Sequence, residues 1–385
     1  MTQLLLRHRD AWKRCGGLDT AEEIAQQPAV WRALVHVLET QRGAIDRFLG
    51  DALRKPDQRV ILTGAGTSAY IGEVVADELN AAWPAQVRAV ASTSLLTHPD
   101  HYLERDKPTL LVSFARSGCS PESLAAVDLV ARSVEAPRFL NITCNPDGDL
   151  AKRGAGRADT FNLLMPEGCC DRGFAMTSSF STMLLAALAA LGKESWATRL
   201  MRIHRLAMAA ENALHDWAPR IAELAANALS RVVYLGSGPL EALAKESALK
   251  VLELTCGAAL AMANTPLGFR HGPKSAVNAD TLVVMFRSQS AVARAYERDL
   301  LAELRRDGVA GDVLTVGPAG STGEGIDFPL ALQELADTSD SWLAAVWVVM
   351  AQQYALQRSH ALGLRPDSPF SDGTLNRVVQ GVTIY

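Results

Sequence analysis

Three charged residues recur on one side of a predicted helix. Glu246, Lys250 and Glu253 stand at positions i, i+4 and i+7 of a leucine- and alanine-rich segment, so they share one helical face. An exposed stripe of ion pairs is the ordinary interpretation of this spacing. The alternative is a catalytic carboxylate, because a glutamate among apolar residues suits the removal of a proton from carbon.

One histidine stands apart from the others. Of the eight histidines, only His271 lies in a glycine- and proline-rich loop, directly before Gly272 and Pro273. Imidazole gains and loses a proton near neutral pH, which suits it to moving a proton between two oxygens. A lone histidine in a loop is more often a plain surface residue, so the residue alone does not decide its role.

Two serine-containing loops have the composition of an anion site. Residues 64–68 (GAGTS) and 116–120 (RSGCS) each follow an apolar run and precede a helical stretch. Glycine permits a tight turn, and the first N–H groups of the following helix are free to bind an anion. The hydroxyl groups come from Thr67, Ser68, Ser117 and Ser120. With no P-loop lysine, the pattern favours a sugar monophosphate over a nucleoside triphosphate, and plain helix capping is the alternative.

The first loop also matches a dinucleotide-binding pattern, which we consider a poor match. That site needs an acidic residue about twenty positions later, at the end of the next strand, to hold a ribose hydroxyl. The nearest acidic residues, Asp77 and Glu78, fall in the middle of a predicted helix. A nicotinamide cofactor is therefore disfavoured.

The elements that must position these residues alternate between strand and helix. This alternation predicts a parallel sheet covered by helices on both faces. The predicted strands are 59–63, 87–91, 109–114 and 139–143, and the predicted helices between them are 69–82 and 121–133. The pattern restarts at 232–238 (VVYLGSG), followed by a helix at 240–254 and a strand at 281–286 that ends in RSQS. Two copies about 170 residues apart suggest an internal duplication.

Helices are also expected outside this alternation. Thr20 followed by Glu23 predicts a capping box at the start of an N-terminal helix. Residues 176–191, 195–228 and 342–362 read as further helical stretches.

Length, charge and apolar runs exclude several classes of protein. The chain has 385 residues, a length that favours two or three domains. Its 38 Lys and Arg residues nearly balance its 42 Asp and Glu residues, and this charge balance disfavours nucleic-acid binding. The longest apolar run, residues 183–191, is too short to cross a membrane. The charged first residues are unlike a secretory signal, and six cysteines without CxxC spacing fit a reducing cytoplasm. Cys169 and Cys170 are expected to be small buried residues rather than metal ligands.

Four ordered motifs resemble those of a known family. The GAGTS and RSGCS loops resemble the two phosphate loops of the sugar isomerase (SIS) domain, although Ala115 and Cys119 replace a serine and a glutamate of that pattern. Residues 246–253 resemble its E-x-A-L-K-x-x-E helix, and 269–273 its K-H-G-P element. Over residues 45–385, the chain is similar to the tagatose-6-phosphate ketose/aldose isomerase family, whose members act as galactosamine-6-phosphate deaminase/isomerases.

The resemblance implies an architecture. We expect an α/β protein with two SIS domains, each a doubly wound, flavodoxin-like parallel sheet. The implied boundaries are an N-terminal helical segment at 1–44, a first SIS domain with the phosphate loops at 45–197, a second with the catalytic helix and histidine loop at 215–364, and a tail covering the site at 365–385.

The resemblance also implies a chemistry that needs no metal and no cofactor. His271 would open the sugar ring, Glu253 would take the C2 proton, and Glu246 and Lys250 would hold hydroxyls and stabilise developing charge. The four loop hydroxyls would contact the substrate phosphate. The implied products are tagatose 6-phosphate and ammonia; plain isomerisation of a hexose 6-phosphate and a sugar-phosphate-binding regulator are the alternatives.

The family also implies a cytoplasmic homo-oligomer, a dimer or a dimer of dimers, in which His271 crosses to a neighbouring subunit. No membrane or nucleic-acid partner is expected. No motif distinguishes galacto- from gluco-configured substrates.

Overall fold

Two five-stranded parallel sheets form the framework of the described chain. The computed structural model describes residues 3–319, 325–330, 335–370, 373–378 and 381–385, so residues 371, 372, 379 and 380 of the tail lie outside it. The chain divides into two units. The N-domain consists of Ala29–Asp171, Ser178–His204 and Gly373–Tyr385, and the C-domain consists of Met1–Pro28, Arg172–Thr177 and Arg205–Asp372.

The elements alternate as expected for an α/β protein. The strands are β1 (Gln3–Leu4), β2 (Arg7–His8), β3 (Arg59–Thr63), β4 (Gln86–Ala89), β5 (Thr109–Ala115), β6 (Pro137–Thr143), β7 (Thr160–Leu164), β8 (Arg231–Leu235), β9 (Leu260–Asn264), β10 (Thr281–Phe286), β11 (Asp312–Pro318) and β12 (Phe328–Leu330). The helices are α1 (Arg9–Cys15), α2 (Leu18–Leu49), α3 (Thr67–Ala82), α4 (Ser92–Thr97), α5 (Pro121–Ser133), α6 (Asp149–Gly154), α7 (Ser178–Leu191), α8 (Trp196–Asp216), α9 (Ala218–Ala226), α10 (Pro239–Leu254), α11 (Pro266–Phe269), α12 (Ala291–Asp307) and α13 (Asp340–Ala361).

The two sheets have the same strand order. The N-domain sheet runs β4-β3-β5-β6-β7 and the C-domain sheet runs β9-β8-β10-β11-β12, with every neighbouring pair parallel. In each, the first strand lies beside the second on one side and the third on the other, which is the flavodoxin-like order. The predicted doubly wound α/β fold with two such domains is confirmed. Ligands of this fold bind where the strand order reverses, beyond the carboxyl ends of the first and third strands.

Continuous apolar runs explain the central strands and two core helices. Every residue of β5 and β10 is buried, as expected for strands covered on both faces. All residues of α7 are also buried, so this helix is apolar around its whole circumference. Within the part of the chain that the structure describes, no helix is long and apolar enough to cross a membrane.

Two details differ from the sequence-based expectation. The long helical stretch 195–228 is two helices, because Pro219 lacks the N–H that a continuing helix would need and instead lies in the first turn of α9. The capping-box prediction is wrong, because α2 begins two residues before Thr20. The Thr20 hydroxyl instead donates to Asp367 at 2.7 Å, and Glu23 accepts from the backbone N–H of Gly173.

Candidate active site

The GAGTS turn leads from β3 directly into α3. A Cβ on Gly64 would lie 2.6 Å from the Cβ of Ser68, so only glycine allows the helix to start this close to the strand. Gly66 has a φ of 55°, a conformation that side chains disfavour. Thr67 and Ser68 follow as the first two residues of α3, and both are buried. This turn therefore places two hydroxyl groups at a helix N-terminus beyond the sheet edge.

The serine loop leaves the neighbouring strand β5. Ser120 caps α5 by accepting from the N–H of Ser123 at 3.3 Å, and its hydroxyl donates to the Ser123 hydroxyl at 2.7 Å. The Ser117 hydroxyl accepts from the N–H of Cys119 at 3.3 Å. Because Thr63 and Ser113 are paired across β3 and β5, both loops start at the point where the strand order reverses.

The loop after β6 fixes the backbone of the serine loop. The Asn145 side chain donates to the carbonyl of Ser117 at 2.9 Å, and the N–H of Leu150 donates to the carbonyl of Gly118 at 2.9 Å. A Cβ on Gly148 would lie 2.5 Å from the Ser117 carbonyl oxygen. The segment 143–148 therefore acts on the backbone of the serine loop.

Arg116 links the serine loop to the C-terminal tail. Its guanidinium is buried and donates to the carbonyl of Arg377 at 2.7 Å. Arg377 in turn donates to the carbonyl of Asp171, whose carboxylate accepts from the N–H groups of Ser178 and Ser179 at 3.0 Å each. No local pattern in the sequence indicates this chain of contacts, although it includes the arginine of the RSGCS loop.

The cysteines beside this loop are suited to packing rather than reaction. The sulfurs of Cys144 and Cys169 lie 3.5 Å apart and both residues are buried, and burial raises the pKa of the Cys144 thiol well above its usual value. Cys169 is buried as the sequence suggested, whereas Cys170 is half-buried. Burial also raises the pKa of Cys170 despite the nearby Arg377 and Arg116. These raised pKa values keep the thiols of Cys144 and Cys170 protonated and weakly nucleophilic.

Three more hydroxyl groups lie at the ends of these N-domain strands. The side-chain oxygens of Thr63, Ser92 and Ser113 are buried, and none of the residues that the structure describes forms a hydrogen bond with them. Ser92 is joined to the GAGTS turn, because its N–H donates to the carbonyl of Gly64 at 2.8 Å. Buried polar atoms without partners are rare in folded proteins and are commonest where a ligand or water binds.

The three charged residues of α10 form a buried cluster in the C-domain. Glu246 and Lys250 are fully buried, while the Glu253 side chain is 25% exposed. The Lys250 ammonium lies 2.5 Å from Glu253 Oε2 and 3.3 Å from Glu246 Oε1. This geometry excludes an exposed stripe of ion pairs and leaves Glu253 as the one member of the cluster that a substrate can reach.

Lys250 stays charged in this cluster. Burial acts to lower the pKa of its ammonium, but the negative charges of Glu246 and Glu253 outweigh that effect and raise the pKa above its usual value. A permanently charged lysine cannot serve as a base at neutral pH. It can instead hold the Glu253 carboxylate in a fixed position.

His271 lies in a loop that two basic neighbours attach to α12. Its side chain is exposed, one residue after Arg270, whose guanidinium donates to Glu303 at 2.9 Å. On the other side, Lys274 donates to Glu303 and, at 2.6 Å, to Asp307. The hydrogen bonds that Lys274 donates to Asp307 and Glu303 raise the pKa of its ammonium. Glu303 therefore binds the loop on both sides of the histidine.

The predicted site residues fall into two sets. The loops that carry Thr67, Ser68, Ser117 and Ser120 lie at the carboxyl ends of the neighbouring strands β3 and β5 of the N-domain. Glu246, Lys250 and Glu253 are in mutual contact in the C-domain, where His271 occupies a separate loop.

Comparison with known proteins gives a consistent result. A protein-family model described as the SIS domain matches residues 52–192. The chain is 43% identical over 370 residues to the D-galactosamine-6-phosphate deaminase AgaS of Escherichia coli, with 96% of both chains covered. It is 40% identical over 387 residues to the protein of the same name from Shewanella sp. strain ANA-3, covering 99% of this chain and 95% of that one. The crystal structure of the tagatose-6-phosphate ketose/aldose isomerase from Escherichia coli superposes with a TM-score of 0.88 at 40% identity, covering 96% of this chain and 97% of that one.

Proposed function

Because the chain belongs to the AgaS family of SIS-domain enzymes, we propose that it converts galactosamine 6-phosphate into tagatose 6-phosphate and ammonia. The buried Glu246–Lys250–Glu253 cluster is the observation that supports chemistry over binding alone. A binding module gains nothing from a buried lysine that costs free energy to desolvate. A proton-transfer enzyme needs a carboxylate held in one place.

In this proposal the N-domain loops hold the phosphate. Thr67, Ser68, Ser117 and Ser120 supply hydroxyl groups beside the N-termini of α3 and α5, where N–H groups favour an anion. The Ser120 hydroxyl would keep accepting from the N–H of Ser123 while its proton turns from the Ser123 hydroxyl to the phosphate. The phosphate is remote from the reacting carbons, so its binding energy serves to orient the sugar.

The reaction follows from the chemistry of an amino sugar. His271 moves a proton between the ring oxygen and O1, which breaks the ring C–O bond and exposes the C1 aldehyde. Glu253 then removes the C2 proton, and the electron pair forms a C1–C2 double bond while O1 takes a proton from water, which gives an enolamine. Return of the C2 proton to C1, with loss of one proton from nitrogen to water, gives a ketimine at C2. Water then adds to the ketimine carbon and ammonia leaves, giving the ketose. Lys250 holds the Glu253 carboxylate in place, and Glu246 balances the charge of the buried lysine.

We also propose that the working form is a homo-oligomer in which His271 acts on a substrate bound by a neighbouring subunit. The exposure of His271 on its own chain supports this arrangement, because an exposed loop residue is available to a second copy. Catabolism of amino sugars is the corresponding physiological role.

The test is ammonia release measured side by side with galactosamine, glucosamine and N-acetylgalactosamine 6-phosphates. We expect ammonia release from galactosamine 6-phosphate together with tagatose 6-phosphate, and release slowed by about 10²–10⁴ in the Glu253→Gln variant. Ser117→Ala combined with Ser120→Ala should raise KM strongly while the protein still folds, with a modest decrease in the thermal unfolding temperature because Ser120 caps α5. Isomerisation of a hexose 6-phosphate with no ammonia from any amino sugar would support the plain isomerase instead. Binding of sugar phosphates without turnover would support the regulator.

A further inference from the structure

The C-domain contains a second pair of loops with the geometry of the proposed phosphate loops. Gly238 has φ 56° and ψ −127°, against 55° and −129° for Gly66. A Cβ on Gly236 would collide with Leu240, four residues later, as one on Gly64 would collide with Ser68. The turn from β8 into α10 therefore reproduces the GAGTS turn, with Ser237 as the residue between its glycines.

The loop after β10 corresponds to the serine loop after β5. Residues 287–290 (RSQS) follow β10 as 116–120 (RSGCS) follow β5, with one residue fewer. Ser290 caps α12 by accepting from the N–H three residues later, as Ser120 caps α5. The buried residues of the two helices also have the same spacing, since Glu297, Leu300 and Leu301 of α12 match Ala126, Leu129 and Val130 of α5. Glu297 therefore stands where the N-domain has Ala126.

Glu297 occupies the space between the two C-domain loops. It is fully buried. Its carboxylate accepts from the Ser237 hydroxyl at 2.8 Å and from the N–H of Ser288 at 3.2 Å. It also accepts from the guanidinium of Arg287 at 3.1 Å. A hydroxyl, a loop N–H and an arginine are the donors that proteins use to bind phosphate.

A second carboxylate, that of Asp340, also accepts hydrogen bonds from these loops. Asp340, the first residue of α13, accepts from the Ser288 hydroxyl at 2.5 Å and from the N–H of Gln289 at 2.8 Å. The sequence around it, Thr338-Ser339-Asp340, parallels Thr177-Ser178-Ser179 at the start of α7, so the N-domain has a serine where the C-domain has this acid. Two acids from different helices thus converge on one pair of loops.

An ordinary structural ion pair explains only part of this arrangement. Arg287 and Glu297 alone would account for one donor and one acceptor. They do not account for the hydrogen bonds that the Ser237 hydroxyl and the Ser288 N–H donate to Glu297. They also do not account for Asp340, which accepts from the second loop and belongs to a third element. Burial raises the pKa of both acids, which shows the cost of placing them here and the need for so many donors.

We propose that these C-domain loops form an anion site that the chain fills with its own carboxylates, Glu297 and Asp340. The C-domain then binds no sugar phosphate, and each chain takes one phosphate, at the N-domain loops, rather than two. The loops keep their anion-binding geometry because the carboxylates supply the negative charge. Removing both acids opens a site for a free phosphate, which can enter past the exposed Gly238 and Ser290.

The test counts bound inorganic phosphate by equilibrium dialysis and measures thermal unfolding with phosphate or chloride. The wild-type chain should bind one phosphate. The Glu297→Ala, Asp340→Ala double variant should bind two, and its lowered unfolding temperature should rise with phosphate but not with chloride. The isosteric control Glu297→Gln, Asp340→Asn keeps the volume filled and should bind one. A double variant that binds no additional phosphate and gains no stability from it would overturn the proposal.

Two further variants separate this inference from the proposed function. The Ser117→Ala, Ser120→Ala variant should lose the phosphate bound at the N-domain loops, and this result tests the proposed function. Adding the double substitution to that variant should give one new bound phosphate, and this result tests the C-domain inference alone. If the double variant does not fold, the reciprocal change Ala126→Glu remains. It should place a carboxylate at the N-domain loops and abolish phosphate binding there, while Ala126→Gln, which is of the same size, retains it. Equal phosphate binding by both Ala126 variants would contradict a carboxylate acting in place of the anion.

Discussion

A lysine with no exposed surface is stable only while its charge is balanced. Lys250 meets this condition through Glu246 and Glu253, and those contacts are what raise its pKa. Removing one member of a buried ion cluster leaves an uncompensated charge, which costs far more than the cluster itself contributes. The catalytic proposal and the stability of α10 therefore depend on the same three side chains.

Replacing Lys250 with methionine should destabilise the protein by about 3–5 kcal/mol, because the buried Glu246 loses its counter-charge. The matched control is Lys245→Met on the same helix, where the pair with Glu241 is partly exposed and the expected loss is below about 1 kcal/mol. Urea unfolding of both variants measures the difference. Similar losses for both would mean that burial of the cluster has little energetic effect.

Replacing Glu253 with glutamine should lower kcat by about 10²–10⁴ with little change in KM, because the variant loses a base that acts only in the transition state. Exchange of the C2 hydrogen in deuterated water, followed by NMR, should stop. The control Glu241→Gln lies in the first turn of the same helix and should leave both measurements unchanged. Normal exchange in Glu253→Gln would mean that the base lies outside this cluster.

At the scale of elements, α12 supports the histidine loop through one carboxylate. Glu303 binds Arg270 and Lys274, the basic residues on either side of His271. An ion pair at the surface contributes little stability, but two pairs that converge on one acceptor restrict where a loop can go. Glu303 is thus a positioning residue for the proposed ring opening.

Replacing Glu303 with glutamine should lower kcat/KM by about 10–100-fold, because a small displacement of the proton donor is costly. Turnover of an analogue that lacks the ring-forming hydroxyl should be unaffected, because it bypasses ring opening. Asp299→Asn, an exposed change one turn earlier on α12, serves as the control. An equal loss with both substrates would show a general structural effect instead.

The sequence predicted those elements that local patterns specify. The strands β3 and β10 and the helix α5 have the predicted bounds, because continuous apolar runs and the proline after Ser120 mark them. It did not predict β9, whose five residues (LAMAN) lie at a sheet edge and include no β-branched or aromatic side chain.

The residues of the candidate site were likewise predictable only where a local pattern marks them. The loop hydroxyls and the α10 cluster follow from local spacing, and the structure adds that Glu246 and Lys250 are buried. Contacts between distant segments, such as those of Glu297 with Ser237 and of Arg116 with Arg377, have no local signal. Tertiary packing alone creates them.

At the scale of the whole molecule, the proposed oligomer makes a quantitative prediction. Mixed Glu253→Ala and His271→Ala chains should regain activity, because a hybrid dimer has one site with an intact glutamate and an intact histidine. Random mixing of dimers should give about one quarter of wild-type activity, measured as ammonia release after unfolding and refolding together. No recovery, or a fully active monomer by sedimentation, would place His271 and its substrate on one chain.

The hydrogen bond between Arg116 and Arg377 joins residues 261 positions apart. A ribosome adds about 5–20 residues per second, so Arg377 is synthesised roughly 13–50 s after Arg116. Most of the N-domain has emerged long before that time. A nascent chain therefore carries an N-domain whose serine loop lacks one of its anchors until translation has passed Arg377. Premature termination before that residue should leave an N-domain whose serine loop is held less tightly than in the full-length protein.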